Sequence, residues 1–410
     1  MLLKVNREGL EAALASIGAH ADSLPIFAHK AEIIPFKLLG VRTPAANIIK
    51  QEMLAVGGDA VTPVGAVTCA AKYVDILLLG TLKHYKVLLK KLAQMPYFGI
   101  PQAAIDLEMA LTPQKLCTTL ADGRVLTYEK MCVMGILNVT PDSFYEGSRV
   151  PAMEELVERA GRMLAAGAGV LDIGGESARP GSDSVDGEEE RRRVVPAIAA
   201  LRKAYPDAVI SIDTYRADTA EAAIAAGADI INDISAMEAD PRMADVVVAT
   251  KAPIILMHMR GTPKNMQQNC EYKDVVQEVA VYLAQRAQLL RERGVSADKI
   301  ILDPGIGFAK NVEQNLLLMR DLKALTSFGY PVLLAASRKS TLGAVLLAAS
   351  RKSTLGAVLG GVPAEQRLEG TIATSLQAIY AGAQMVRVHD VEENVRAIRT
   401  MEAILRGSAE

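Results

Sequence analysis

Tryptophan is absent from the 410 residues, and aromatic side chains make up only 4% of them. Few platforms are left on which the bases of a single-stranded nucleic acid could stack. No charge of one sign dominates either. The net charge is −2, so there is no basic field to recruit nucleic acid and no acidic tail. Cys69, Cys117, Cys132 and Cys270 are the only cysteines; they lie far apart and form no CxxC pair. That argues against a zinc ribbon or a disulfide framework and suits a reducing compartment. No uncharged apolar run approaches the roughly 18 residues of a membrane span. The opening MLLKVNREGLEAAL carries charge too early for the apolar core of a signal peptide. A cytoplasmic protein with neither membrane nor nucleic-acid partners is the expectation.

What the chain does contain is rhythm. From about residue 130, short β-branched runs end in polar residues or glycine, and a helical pattern follows each. The runs are VMGILNV (133–139), VLDIGG (170–175), VISID (209–213), IINDIS (230–235), PIILMH (253–258), IILDPG (300–305), VLLAAS (332–337) and MVRVHD (385–390). Most are apolar without alternation, as strands covered on both faces should be. Segments such as PAMEELVERAGRMLAAG and YKDVVQEVAVYLAQRAQLLRERG are amphipathic and stop near glycine. Eight β-then-α units predict an α/β fold, a (β/α)8 barrel, over 129–410. A doubly wound open sheet is the alternative, because a strand count does not prove closure. Residues 1–128 lack this rhythm. PAANIIKQEMLAVGG reads as a helix, VDILLLGT as a strand and HYKVLLKKLAQM as a helix, which predicts a small α/β domain. LADGRVLTYEK, with its Asp-Gly signal, reads as a hairpin or linker into the barrel.

Barrel enzymes carry their sites at the C-terminal ends of the strands. Here those ends hold Asn138, Asp172, Asp213, Asn232 with Asp233, His258, Asp303, Ser337 to Ser340, and Arg387 with His389. One Asp after a strand is more often a helix cap than a catalyst. Capping does not favour Asn, Arg, Lys and His at so many ends. Asp213, Asn232, Asp303 and a lysine offer donors and acceptors for a flat, nitrogen-rich heterocycle. Arg387 and His389, two apart on one strand, share a face and suit phosphate oxygens. Asn138 offers a neutral oxygen to a Mg²⁺ that keeps its waters and bridges to a diphosphate. The GESARPGS and TPDSFYEGSR loops could close over a reactive intermediate. His258 reads as a structural hydrogen-bonding group and Glu176 as a loop anchor.

GILNVTPDSF, LDIGGESARPGS, SIDT, IND, MHMRGTPKNMQ, LDPGIGF, SRKS and RVHDV resemble, in order and spacing, the bacterial dihydropteroate synthases over about residues 130–405. The resemblance implies a dimeric barrel that joins 6-hydroxymethyl-7,8-dihydropterin diphosphate to 4-aminobenzoate in folate biosynthesis, with Mg²⁺. It implies a pterin set of Asp213, Asn232, Asp303 and Lys339. Asn138, Arg387 and His389 become the diphosphate set, with Asn138 on the metal. Arg179, Pro180, Phe308 and Ser340 become the aminobenzoate set. Asp213, Lys339 and Arg387 carry the catalysis, in an SN1-like displacement. Asp142, Ser143 and Phe144 fall on the first loop. Three positions depart from the family pattern: Ala178 where Thr is common, Tyr145 with Glu146 in the first loop, and Ala309 where Gly is common.

LLAASRKSTLGAV occurs twice in immediate succession, at 333–345 and 346–358. Either copy can supply strand seven, and with it Lys339 or Lys352. Tyr330 and Pro331 give the first copy the usual entry into a strand, which favours Lys339. Thirteen extra residues rotate a helix about 220° beyond three full circles, so the surplus cannot extend a helix and keep its apolar stripe. Two rivals remain: a pterin-binding methyltransferase of the methyl-folate/corrinoid type, and a barrel inactivated by the duplication.

Overall fold

The computed structural model describes residues 10–18, 20, 27, 30–112, 115–139, 149–176, 185–262, 265–336 and 367–408. It divides into two compact units, Met1–Gln114 and Lys115–Glu410.

The first unit opens with α1 (Leu10–Ser16). Its sheet is antiparallel, in the order β1 (Ile34–Arg42), β3 (Tyr73–Gly80), β2 (Asp59–Val61). Helices α2 (Thr43–Ala55), α3 (Leu82–Leu92) and α4 (Ile100–Leu111) complete it. Ile49, Met53, Ile76, Leu78, Tyr85, Leu88 and Leu107 form its core. Tyr85 keeps its hydroxyl satisfied by donating to the Ile34 and Leu78 carbonyls.

The second unit begins with a hairpin, β4 (Cys117–Thr119) and β5 (Val125–Thr127), turned on Gly123 at φ 88°. The barrel strands follow: β6 (Cys132–Asn138), β7 (Val170–Gly174), β8 (Ile210–Asp213), β9 (Ile230–Asp233), β10 (Ile254–Met257), β11 (Ile300–Asp303), β12 (Leu333–Leu334) and β13 (Met385–Val388). All are parallel to their neighbours, and β13 lies between β6 and β12. A bridge from Leu302 to Val332 links β11 to the start of β12 and closes the ring. The helices between strands are α5 (Arg149–Ala165), α6 (Gly187–Ala204), α7 (Ala217–Ala225), α8 (Met243–Thr250), α9 (Val275–Glu292), α10 (Val312–Arg320), α11 (Lys323–Thr326) and α12 (Leu368–Tyr380), with α13 (Val391–Arg406) after β13. Their starts are fixed locally. Asp186 caps α6 and Asp274 caps α9, and Asn311 with Gln314 forms a capping box on α10.

Strand parity divides the apolar residues. Val133, Leu137, Leu171, Ile173, Ile212, Ile231, Leu256, Leu302, Leu334 and Val386 face the helices and form one cluster with them. The alternate residues Cys132, Met134, Val170, Ile230, Ile255, Ile301, Leu333 and Met385 form a separate cluster inside the ring. Leu120 joins this interior cluster, with Leu126 and Tyr128 packed against it. The hairpin therefore plugs the barrel's N-terminal end. Arg124 clasps it there through Asp229 and the Asp207 carbonyl. Lys299 Nζ donates to the Thr119 carbonyl. This packing is why the hairpin falls in the second unit, whereas the expected boundary stood at residue 128. Strand seven is built from Leu333 and Leu334 of the first repeat copy. The rest of that copy from Ser337 and all of the second lie outside the described residues.

Candidate active site

The interior parity that buries Val170, Ile230, Ile255 and Ile301 continues toward the strand ends, and there the side chains turn polar. Asn138, Gly174, Asp213 and Asn232 are successive neighbours along one row of the sheet. Asp172 and Arg387 lie on the same interior parity of β7 and β13, and Asp303 on that of β11. Asp172 is fully buried; Asn232 and Asp303 are 3% and 2% exposed.

Arg387 ties this group together. Its Nε lies 2.5 Å from Asp172 Oδ2 and its Nη2 2.5 Å from Asp213 Oδ2. Burial works against a charged guanidinium, but Asp172 and then Asp213 outweigh it and raise the Arg387 pKa. Asn232 Nδ2 also donates to Asp172 Oδ2, at 3.4 Å. Asp303 Oδ1 accepts from Gly305 N at 2.7 Å. Gly305 sits at φ 67°, and a Cβ there would fall 2.0 Å from the His258 carbonyl, so only glycine lets this loop lie against the next strand end.

Adjacent residues of opposite parity do different work. Asp233, beside Asn232, accepts from Ser235 N, Ser235 Oγ and Met237 N and holds the turn after β9. Burial pushes its carboxyl up. His258, after Met257, is 1% exposed, and its Nδ1 lies 2.9 Å from Nζ of the fully buried Lys310. Lys310 also donates to the Gly305 and Phe308 carbonyls and lies 3.3 Å from the His258 carbonyl. Burial and then the Lys310 charge push His258 down to about 2, so the ring is a neutral acceptor that knits two loops. Glu176 likewise anchors its loop, taking Arg216 Nη1 at 2.7 Å, while Arg216 also holds the buried Glu190. Phe308 lies in an apolar cluster with Ile234, Met257, Met259, Met266 and Ala309. Ala309, where the resembled family commonly has glycine, has a left-handed φ of 50°.

Of the expected pterin set, Asp213, Asn232 and Asp303 stand on the barrel's inner face. Arg387, expected with the diphosphate, reaches into this same set. His389 follows β13 directly and is partly buried. Lys339, Ser340, Arg179 and Pro180, with Asp142, Ser143 and Phe144, lie outside the described residues. In the sequence Asp172 is only one polar strand end among several. Its place two residues along β7 from Val170, on the interior parity, was the signal for more.

Mg²⁺ was expected at Asn138, which is exposed at the end of β6. Among the described residues no group of three His, Cys, Asp or Glu could hold a metal. Asn138 Oδ1 and Asp213 Oδ2 lie 3.5 and 3.8 Å from where a Gly174 Cβ would stand, so the two oxygens flank the same point beside Gly174. One neutral oxygen beside one carboxylate fits a Mg²⁺ that keeps most of its waters and is shared with a diphosphate. It does not fit a cation held by protein alone.

Comparison with known proteins bears directly on this geometry. The profile of the pterin binding enzyme family matches residues 134–389. Dihydropteroate synthase of Synechocystis sp. is 42% identical over 294 residues, 72% of this chain and 96% of that one. A probable bifunctional folylpolyglutamate synthase/dihydropteroate synthase of Halobacterium salinarum is 38% identical over 368 residues, 90% of this chain and 42% of that one. Those 368 residues exceed all of Lys115–Glu410, so this likeness extends into the first unit. Dihydropteroate synthase of Burkholderia cenocepacia, solved with 7,8-dihydropteroate, superposes with TM-score 0.61 at 39% identity, over 72% of this chain and 98% of that one. The chain belongs to the pterin-binding enzymes and, among them, to the dihydropteroate synthase family.

Proposed function

We propose that the barrel condenses 6-hydroxymethyl-7,8-dihydropterin diphosphate with 4-aminobenzoate, releasing diphosphate. The observation that carries this reading is the convergence of Asn138, Asp172, Asp213, Asn232, Asp303 and Arg387 on one end of the barrel interior. Asn232 and Asp303 are nearly buried acceptors for the ring N–H and amino groups of the pterin. Asp213, less buried, stands where a carboxylate can stabilise positive charge on the pterin methylene as diphosphate departs. Asn138, with Arg387 and His389, receives the diphosphate end. Mg²⁺ held between Asn138 and the diphosphate would neutralise charge on the leaving group. Phe308 and its methionine neighbours give the aniline an apolar wall that keeps water from capturing the cation. Lys339 of the first repeat copy completes the pterin set, and Arg179, Pro180 and Ser340 the aminobenzoate set. The active species is a cytoplasmic homodimer.

Purified protein with both substrates and Mg²⁺ should release diphosphate only when 4-aminobenzoate is present. Release without 4-aminobenzoate, or none under any condition, overturns the reading. The methyltransferase alternative has no use for a diphosphate end, the role this reading gives to Asn138, Arg387 and His389. Light scattering should report twice the chain mass, and Lys339→Ala, rather than Lys352→Ala, should abolish turnover.

A further inference from the structure

We propose that Asp172 is a positioning residue for pterin recognition, one buried carboxylate oxygen setting both the guanidinium of Arg387 and the amide orientation of Asn232. The inference rests on the pterin-site reading above and gives it a specificity device.

Asp172 is fully buried, between Ile136 on β6 and Ser211 on β8. Its Oδ2 receives Arg387 Nε and Asn232 Nδ2. An ionised carboxylate only accepts, so it must take the NH₂ end of Asn232 and never the carbonyl end. The Asn232 Oδ1 is thereby left as the acceptor. That suits the N–H and amino edge of a pterin, whereas a flipped amide would present a donor to those donors and repel them. The same oxygen fixes Arg387 through Nε, and Nη2 then falls on Asp213. Three residues of the site thus take their orientation from one that touches no substrate.

The position is a poor one for stability alone. Asp172 Oδ1 and Ser211 Oγ are buried and have no hydrogen-bond partner in the described structure. They are neighbours across β7 and β8. Interior positions nearby are filled by Val170 and Ile230 without such orphaned groups. A carboxylate satisfied through one oxygen is costlier than either, and orientation of Arg387 and Asn232 is what it returns.

Asp172→Asn keeps the shape and removes the acceptor-only character. The expected result is a KM for the pterin diphosphate raised about 30-fold, the size of a lost charged hydrogen bond, with the KM for 4-aminobenzoate held within about twofold. Titration of the protein with 6-hydroxymethylpterin alone should show the same loss of affinity. Both KM values unmoved, or both raised equally, overturns the proposal. Should Asp172→Asn not fold, the neutralised pair Asp172→Asn with Arg387→Gln is compared with Arg387→Gln alone. A further loss of pterin affinity of about threefold or more, through Asn232, supports it, and no further loss overturns it. Wild-type protein that binds the pterin but does not turn over sinks the function reading instead, and the titrations still decide the role of Asp172.

Discussion

The two ends of the barrel interior are built from the same strands at the same parity, yet they obey opposite rules. At the N-terminal end Met134, Val170, Ile230, Ile255, Ile301 and Met385 meet the hairpin's Leu120 in an apolar plug. Two residues further along four of these strands, the same side of the ring carries Asp172, Asn232, Asp303 and Arg387. The plug gains stability from apolar burial. The polar end holds acidic and basic groups out of water, which stabilises nothing unless each finds a partner. Bottom residues should therefore govern stability and top residues activity. Each substitution below tests that division.

The largest effect is expected at the top. Asp213→Asn should lower kcat by about 10²- to 10³-fold, as loss of one preorganised charge does, while the unfolding free energy moves by less than about 1 kcal/mol, since Asp172 still pairs Arg387. A large loss of stability in this variant would break the division. At the bottom, Ile255→Ala should cost about 2–4 kcal/mol of unfolding free energy, through lost transfer and a residual cavity. The surviving folded fraction should keep wild-type KM values, measured below its melting temperature.

How far this division could be read from the chain alone depends on phase. The eight strands were legible because VLDIGG and IINDIS are apolar runs between helical patterns, and parallel strands are covered on both faces. The polar ends were legible as a group. Their separate duties were not: Asn232 faces inward and Asp233 outward, and one residue of phase separates the barrel interior from a turn anchor. Nothing local marks Asp172 as partner of Arg387, 215 residues away. The hairpin was seen at its Asp-Gly turn, but its membership in the barrel depends on Leu120, Leu126 and Tyr128 meeting strands far ahead in sequence. In the first unit, LLGVR within β1 has a glycine inside it and no clean alternation, so nothing in the sequence marks that strand, whereas VDILLLG reads as one.

A smaller, pH-dependent effect should separate the top's binding groups from its scaffold. His258 is held neutral in the folded protein at a pKa of about 2, against 6.5 for an imidazole in water. Between those values the unfolded chain binds a proton that the folded one does not. Stability is therefore complete above about pH 6.5 and falls as the pH drops, with a limiting slope of about 1.4 kcal/mol per unit. His258→Asn should flatten that slope in urea titrations at pH 7 and pH 5. An unchanged slope would mean that His258 is not what loses stability in acid.

The smallest effect is expected at Ala309, where two penalties oppose each other. Its left-handed φ of 50° costs an L-residue about 1–2 kcal/mol, which glycine would relieve. Glycine would also raise the entropy of the unfolded chain, a loss of about 0.5–1 kcal/mol. It would strip a fully buried methyl from the Phe308 cluster, worth about 0.8 kcal/mol more. These sums cancel, so Ala309→Gly should move the unfolding free energy, measured in urea, by less than about 0.5 kcal/mol. A gain well beyond that would mean the methyl packs poorly against Phe308 and Met266. A loss would mean the loop is not strained at all. In either case the apolar wall at the top of the barrel would answer to packing, as the plug below it does, rather than to backbone geometry.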